Sequence, residues 1–131
     1  MILDTSAVIA ILANEAEGRH FREVISSADR VRISAASYLE AAIVLDNRSA
    51  GPGLSPELDL FISWARASVE PISSAQAHLA RQAHRDYGRG SGHLARLNFG
   101  DCFSYALSKD TGEPLLFKGD DFSHTDVVPA V

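Results

Sequence analysis

Short apolar runs alternate with helical stretches along this chain, and that alternation is its strongest constraint on fold. Met1 to Leu3, "RVRISA" (30–35), "SVEPIS" (68–73) and "PLLF" (114–117) read as brief strands. The stretches between them carry helical periodicity. Strands separated by helices predict a parallel sheet with helices on both faces. In such sheets, ligands bind outside the C-terminal ends of the strands. Residues just after each strand are therefore the first place to look for chemistry.

The helical stretches are "SAVIAILANEAEG" (6–18, with Ser6 as its cap), "EAEGRHFREVISSA" (15–28) and "SYLEAAIVLDNRS" (37–49). They continue with "PELDLFISWARA" (56–67), "SAQAHLARQAHRDYG" (74–88) and "FGDCFSYALSKDTG" (99–112). Serine suits a helix start, proline a first turn and glycine a helix end, as at Ser6, Pro56 and Gly112. The 37–49 helix carries an apolar stripe of Leu39, Ile43 and Val44, with Ala36 and Ala42 beside it. In the 56–67 helix, Phe61 and Trp64 join Leu58 and Leu60 in the core or under a partner. "AGPGLSP" (50–56) is a break, by its glycines and prolines. Pro71 places the third strand at an edge. "KGDDFSHTD" (118–126) reads as a loop and "VVPAV" (127–131) as a last short strand. Without repeat or linker, the chain reads as a single domain, 1–131.

Composition narrows the function classes. Apolar residues form 46% of the 131 residues, enough for a genuine core. The one cysteine, Cys102, excludes an internal disulfide framework and a thiolate zinc cage, and fits a reducing compartment. Beside Phe103, Ala106 and Leu107 it reads as core rather than nucleophile. No run is long and apolar enough for a membrane span, and no basic region precedes the first apolar stretch. The expected location is cytoplasmic. A net charge of −5 argues against a passive nucleic-acid binder. It is compatible with an enzyme that uses carboxylates to hold a divalent cation against phosphates.

Several carboxylates stand out. Asp4 interrupts an oily stretch directly after the first strand. Glu40 lies among Ala36, Ile43 and Val44 on its helix, where an unpaired charge is costly, unless it sits at the edge of the stripe. Asp101 falls in the first turn of a helix, a place that the helix dipole alone favours. Asp120 and Asp121 follow "LLF", where a solvated turn also accounts for them. Together, acids at strand ends and helix starts face one rim. Converging carboxylates repel one another, and Mg²⁺ or Mn²⁺ with all-oxygen ligands relieves that. Such a site suits nuclease chemistry.

These stretches resemble the PIN-domain family, in particular its VapC toxins. The likeness runs through "MILDTSAVIAIL", "SAASYLEAAIVL", "LARLNFGDCFSYALS" and "PLLFKGDDFSHTDV", in the family's order and over nearly the whole chain. It implies a three-layer α/β/α sandwich with a central, mainly parallel sheet. It also implies an Mg²⁺- or Mn²⁺-dependent endoribonuclease, the toxin of a type II toxin–antitoxin pair. Asp4, Glu40 and Asp101 match the family's acidic residues, and Thr5 and Ser6 its supporting polar pair. Many relatives carry a fourth acid at the place of Gly119, so Asp120 or Asp121 is expected to serve here. Asp4 and Asp101 would ligate the metal, and Glu40 would ligate it or orient the attacking water. A VapB-type antitoxin that inserts a basic residue near the acids, an RNA substrate and a homodimer are the implied partners.

"HRDYGRGSGHLAR" (84–96) supplies Arg85, Arg89 and Arg96, either as a basic lip for the RNA backbone or as an ordinary solvated loop. His84 and His93 match no zinc spacing and fit surface or capping roles. A phospho-receiver domain would need an acidic pair after strand one and an acceptor Asp after strand three, and "VEPISS" has none. A haloacid-dehalogenase-type phosphatase would need a second Asp where Ser6 stands. A PIN fold that binds RNA or an antitoxin without cutting remains the alternative.

Overall fold

The structure is a computed structural model that describes residues 1–48 and 53–131. Residues 49–52, which include most of the "AGPG" break, lie outside the described part. The order is β1 (Ile2–Leu3), α1 (Thr5–Leu12), α2 (Gly18–Ser26), β2 (Val31–Ser34) and α3 (Ala35–Asn47). It continues with α4 (Ser55–Trp64), β3 (Ala67–Glu70), α5 (Ser74–Tyr87), α6 (Phe99–Thr111) and β4 (Leu115–Leu116). A 3₁₀ turn, Asp121–His124, follows.

All strand pairings are parallel, and the sheet order is β3-β2-β1-β4. Leu3 stands opposite Ile33 on one side and Leu116 on the other. Strand side chains alternate between faces. Leu3, Ile33 and Leu116 join a core with α1, α2, α3 and α4. Ile2 and Leu115 join a second core with α5 and α6 residues such as Ala83, Cys102, Tyr105 and Leu107. These two cores on opposite faces are the three-layer α/β/α sandwich expected from the sequence. The third strand is at the edge, as Pro71 predicts. Among the described residues, no helix is long and apolar enough to cross a membrane.

Four expectations need correction. Helix α1 begins at Thr5 and is capped by Asp4, whose side chain accepts from the Ser6 N–H; Ser6 is inside the helix. The same helix stops at Leu12, well short of residue 18, because Asn14 takes a left-handed φ of 52°. Gly18 then starts α2 against α1, where a Cβ would lie 2.6 Å from the Ala10 carbonyl oxygen. On α3, Leu39 and Ile43 are 59% and 51% exposed, and the buried line is Ser37, Ala41 and Leu45. Small residues on that line let α3 approach its neighbours closely, which the bulkier stripe does not. The terminal "VVPAV" forms only a single bridge, Leu115 to Pro129. Proline has no N–H with which to extend a ladder.

Pro56 lies in the first turn of α4, as its signal predicts. Gly112 ends α6 at φ 70°. Leu58 and Phe61 are buried in α4, whereas Leu60 and Trp64 are exposed, Trp64 beneath the Arg22 guanidinium at 5.3 Å.

The face that α3 buries is open to a direct check. Leu45→Ala is expected to cost about 2–5 kcal/mol in urea denaturation. Ile43→Ala is expected to stay within about 1 kcal/mol. Equal losses at the two positions would mean that α3 is rotated from the orientation described.

Candidate active site

The order β3-β2-β1-β4 reverses direction at β1, which opens a crevice between the C-terminal ends of β1 and β4. A cavity of about 410 Å³ lies there. Its lining includes Asp4, Thr5 and Ser6 from the start of α1, Glu40 from α3, Asn98 and Asp101 from the start of α6, and Gly119. Three of the five acids singled out in the sequence are thus brought to one space.

Asp4 is 3% exposed at the end of β1. Its backbone N–H donates to the Leu116 carbonyl at 3.0 Å. Its Oδ2 accepts from the Ser6 N–H at 2.9 Å and from the Ser6 hydroxyl at 2.5 Å. The Ser6 oxygen in turn accepts from the Lys118 N–H at 2.9 Å. A buried carboxylate is tolerable because donors meet it.

Asp101 is half-buried and forms a reciprocal cap with Asn98. The Asn98 N–H donates to Asp101 Oδ2 at 2.8 Å, and the Asp101 N–H donates to Asn98 Oδ1 at 2.9 Å. Burial pushes the Asp101 carboxyl up to about 7, against the pull of the Asn98 N–H; the charges of Asp4, Asp121 and Glu40 push it further. The electrostatic neighbourhood of Asp101 therefore includes Asp121. Asp120 precedes the 3₁₀ turn and Asp121 opens it; both are exposed, and neither lines the cavity.

Glu40 reaches over the first turn of α6. A Cβ on Gly100 would fall 1.8 Å from Glu40 Oε2, so any side chain there takes the place of the carboxylate. Gly100 is in helical conformation and is needed for this close approach rather than for a turn.

A buried chain of hydroxyls ties the three acid-bearing helices together. Thr5 Oγ1 donates to the Ser37 carbonyl at 3.2 Å, and the Ser37 and Ser104 hydroxyls meet at 3.0 Å. Ser37 lies one turn before Glu40, and Ser104 one turn after Asp101. Ser37, Ser104, Asn98 and Gly100 were not singled out in the sequence. The one available signal was a small or polar residue one turn, or one position, from an acid.

Arg85, Arg89 and Arg96 are exposed and do not line the cavity. His93 accepts from the Ala95 N–H through Nδ1 at 3.1 Å and stacks edge-on against Tyr87, a capping role. Cys102 is buried, and burial first, then the Asp101 charge, raises its thiol to about 11, which keeps it protonated and inert.

The Asp101 shift gives stability a sign. A carboxyl whose folded value exceeds its unfolded one adds stability at low pH and loses it as pH rises. In metal-free buffer the protein is expected to lose stability as pH rises from about 3.8 towards about 7. Thermal melting of Asp101→Asn should show a weaker loss over that window. Parallel slopes in the two proteins would refute the assignment.

The chain matches the family model for the PIN domain over residues 1–128. It is 54% identical to VapC ribonuclease Mb0625 of Mycobacterium bovis over 131 residues, all of this chain and 98% of that protein. Ribonuclease VapC28 of Mycobacterium tuberculosis matches equally, and ribonuclease VapC30 of the same species is 48% identical over 97% of this chain and 95% of its own length. Among solved structures, VapC20 of Mycobacterium tuberculosis, described as a sarcin–ricin loop cleaving toxin, superposes with a TM-score of 0.75 at 21% identity, over 97% of this chain and 95% of that one. A toxin–antitoxin complex from Klebsiella pneumoniae gives 0.71 at 16% identity, over 99% and 97%. With the acids gathered at the end of β1 and relatives more than half identical along its full length, this chain belongs to the PIN-domain family, alongside the VapC ribonucleases.

Proposed function

We propose that this protein is an Mg²⁺- or Mn²⁺-dependent endoribonuclease, the toxin of a type II toxin–antitoxin pair. The observation that carries the reading is the meeting of Asp4, Glu40 and Asp101 around one open cavity, in a chain 54% identical to VapC ribonucleases. The donors are all oxygens, as hard cations require. Among the described residues, no three His, Cys, Asp or Glu side chains form a ready-made cation cage. Mg²⁺ tolerates so sparse a set, because it keeps several waters and takes few direct carboxylates. The crowding of charge around Asp101 and the space that Gly100 leaves for Glu40 fit the same ion.

Asp4 and Asp101 would hold the cation, each already oriented through Oδ2 by its own helix start. Glu40 would ligate it or orient the attacking water. Asp120 or Asp121 would take the fourth acidic role, the charge of Asp121 being one that Asp101 feels. When bound, the cation lowers the pKa of a water and polarises the phosphodiester. Thr5 and Ser6 hold Asp4 and the start of α1 in place.

The antitoxin partner rests on the VapC relatives and on the fold shared with a chain of a toxin–antitoxin complex. A homodimer would find an apolar surface beside the site, where Leu39, Ile43 and Phe99 are exposed. A groove of about 280 Å³ runs between α3 and α6 there.

Purified protein is expected to cut a pool of structured RNAs in Mg²⁺ or Mn²⁺, and EDTA or Asp4→Asn should abolish cutting. Cutting that survives both controls would reject the proposed chemistry. Folded protein that neither cuts nor binds metal would leave the non-cutting binding module in its place.

Gly100→Ala separates site geometry from folding. Alanine is preferred over glycine in a helix by about 1 kcal/mol, and the clash is with the flexible end of a side chain. The variant is expected to melt no lower than the native chain. Its Mg²⁺ affinity, by calorimetry, should fall about 10- to 100-fold, the usual loss when a group that orients a ligand is disturbed. Unchanged affinity would show that Glu40 has no part in holding the ion.

A further inference from the structure

The cavity that holds the acids is also lined by two cations, Arg48 at the C-terminal cap of α3 and Lys118 just after β4. Glu15 bridges them. Its Oε2 lies 2.5 Å from Lys118 Nζ, and its Oε1 lies 3.4 Å from an Arg48 guanidinium nitrogen. Glu17 adds a second carboxylate 3.3 Å from Lys118. Lys118 keeps the Glu15 carboxyl below its ordinary value, so the bridge is ionised.

Stability does not account for this arrangement. The side chains of Arg48, Lys118 and Glu15 are 44%, 36% and 27% exposed, and ion pairs so open to water contribute little to stability. Its place beside the acids does account for it. A polyanion that approaches Asp4, Glu40 and Asp101 is repelled unless cations stand beside them. Lys118 is fixed relative to Asp4, because its backbone N–H donates to the Ser6 hydroxyl that itself donates to Asp4. Arg48 follows Glu40 by eight residues, on a similar face of α3. A carboxylate between two cations has the charge and the paired oxygens of a phosphodiester.

We infer that Arg48 and Lys118 form a phosphate subsite for the RNA backbone beside the acidic cluster, and that Glu15 fills it until a substrate phosphate displaces it. The inference rests on the nuclease reading. It makes Arg48 and Lys118 substrate-binding residues and Glu15 a built-in competitor.

The test is anisotropy with a fluorescein-labelled, random-sequence single-stranded RNA. It uses the full chain carrying Asp101→Asn, in Mg²⁺, over a salt series. Lys118→Gln and Arg48→Gln should each weaken binding and flatten the slope of log affinity against log salt by about 0.7. Glu15→Gln should tighten binding. Asp29→Asn and Arg30→Gln serve as charge controls, since both residues are exposed and precede β2, at the opposite end of the sheet. The subsite is overturned if Glu15→Gln gains no more than Asp29→Asn, or if both cation variants lose no more than Arg30→Gln. Arg48→Gln keeps the test decisive should Lys118→Gln fail to fold. Wild-type cutting with flat binding data would reject the subsite alone. The expected binding shifts without wild-type cutting would support the subsite and reject the nuclease.

Discussion

Everything in the site depends on one buried carboxylate. Asp4 ends the central strand, caps α1, and receives both donors of Ser6. Its own N–H goes to Leu116 in β4, and the Ser6 oxygen takes the Lys118 N–H just beyond that strand. A single residue thus fixes how β1, α1 and the end of β4 meet. A carboxylate removed from water needs donors, and a helix start supplies them without a bulky cation in the crevice. The crevice stays open because the sheet reverses order there and no side chain is required to close it.

The layer order and the acids were legible because each rests on a local pattern. Two apolar residues followed by Asp and a helix mark β1 even though the strand is only two residues long. Gly112 and Pro71 marked a helix end and a sheet edge by their backbone chemistry alone. The face of α3 was not legible. Apolar residues lie on more than one side of that helix, so periodicity offers two stripes. Packing selected the one with Ser37 and Ala41, which is the narrower. Hydropathy ranks a serine low, yet Ser37 is buried because Ser104 supplies a partner across the helix pair.

The cationic wall was hidden for a different reason. Glu15 and Lys118 lie 103 residues apart and meet only because β1 and β4 are neighbours. The basic stretch at 84–96, which runs from the last turn of α5 into the following loop, is conspicuous as a run of charge, whereas Arg48 and Lys118 are single residues in unremarkable surroundings. Charge density along a chain predicts where solvent is, and charge density across a fold predicts where a ligand goes. The same distinction bears on Asp120 and Asp121. They are adjacent in sequence and both exposed, and the charge of Asp121, which opens the 3₁₀ turn, is one that Asp101 feels.

Asp101 shows why structural and functional accounts of an acid need not compete. At the first turn of a helix it is what capping alone would choose, and it does cap Asn98. That bond uses Oδ2 and, with the reciprocal bond from Asn98, locks the rotamer. Asp4 is held in the same way, through Oδ2, by Ser6. In both residues the described hydrogen bonds engage one oxygen, and Oδ1 receives no donor from the described residues. Capping is therefore what aims each carboxylate. A free aspartate loses side-chain entropy on meeting any ligand, and these two have lost it in folding. The raised proton affinity of Asp101 is the other side of the same arrangement, since burial among like charges disfavours its ionised form.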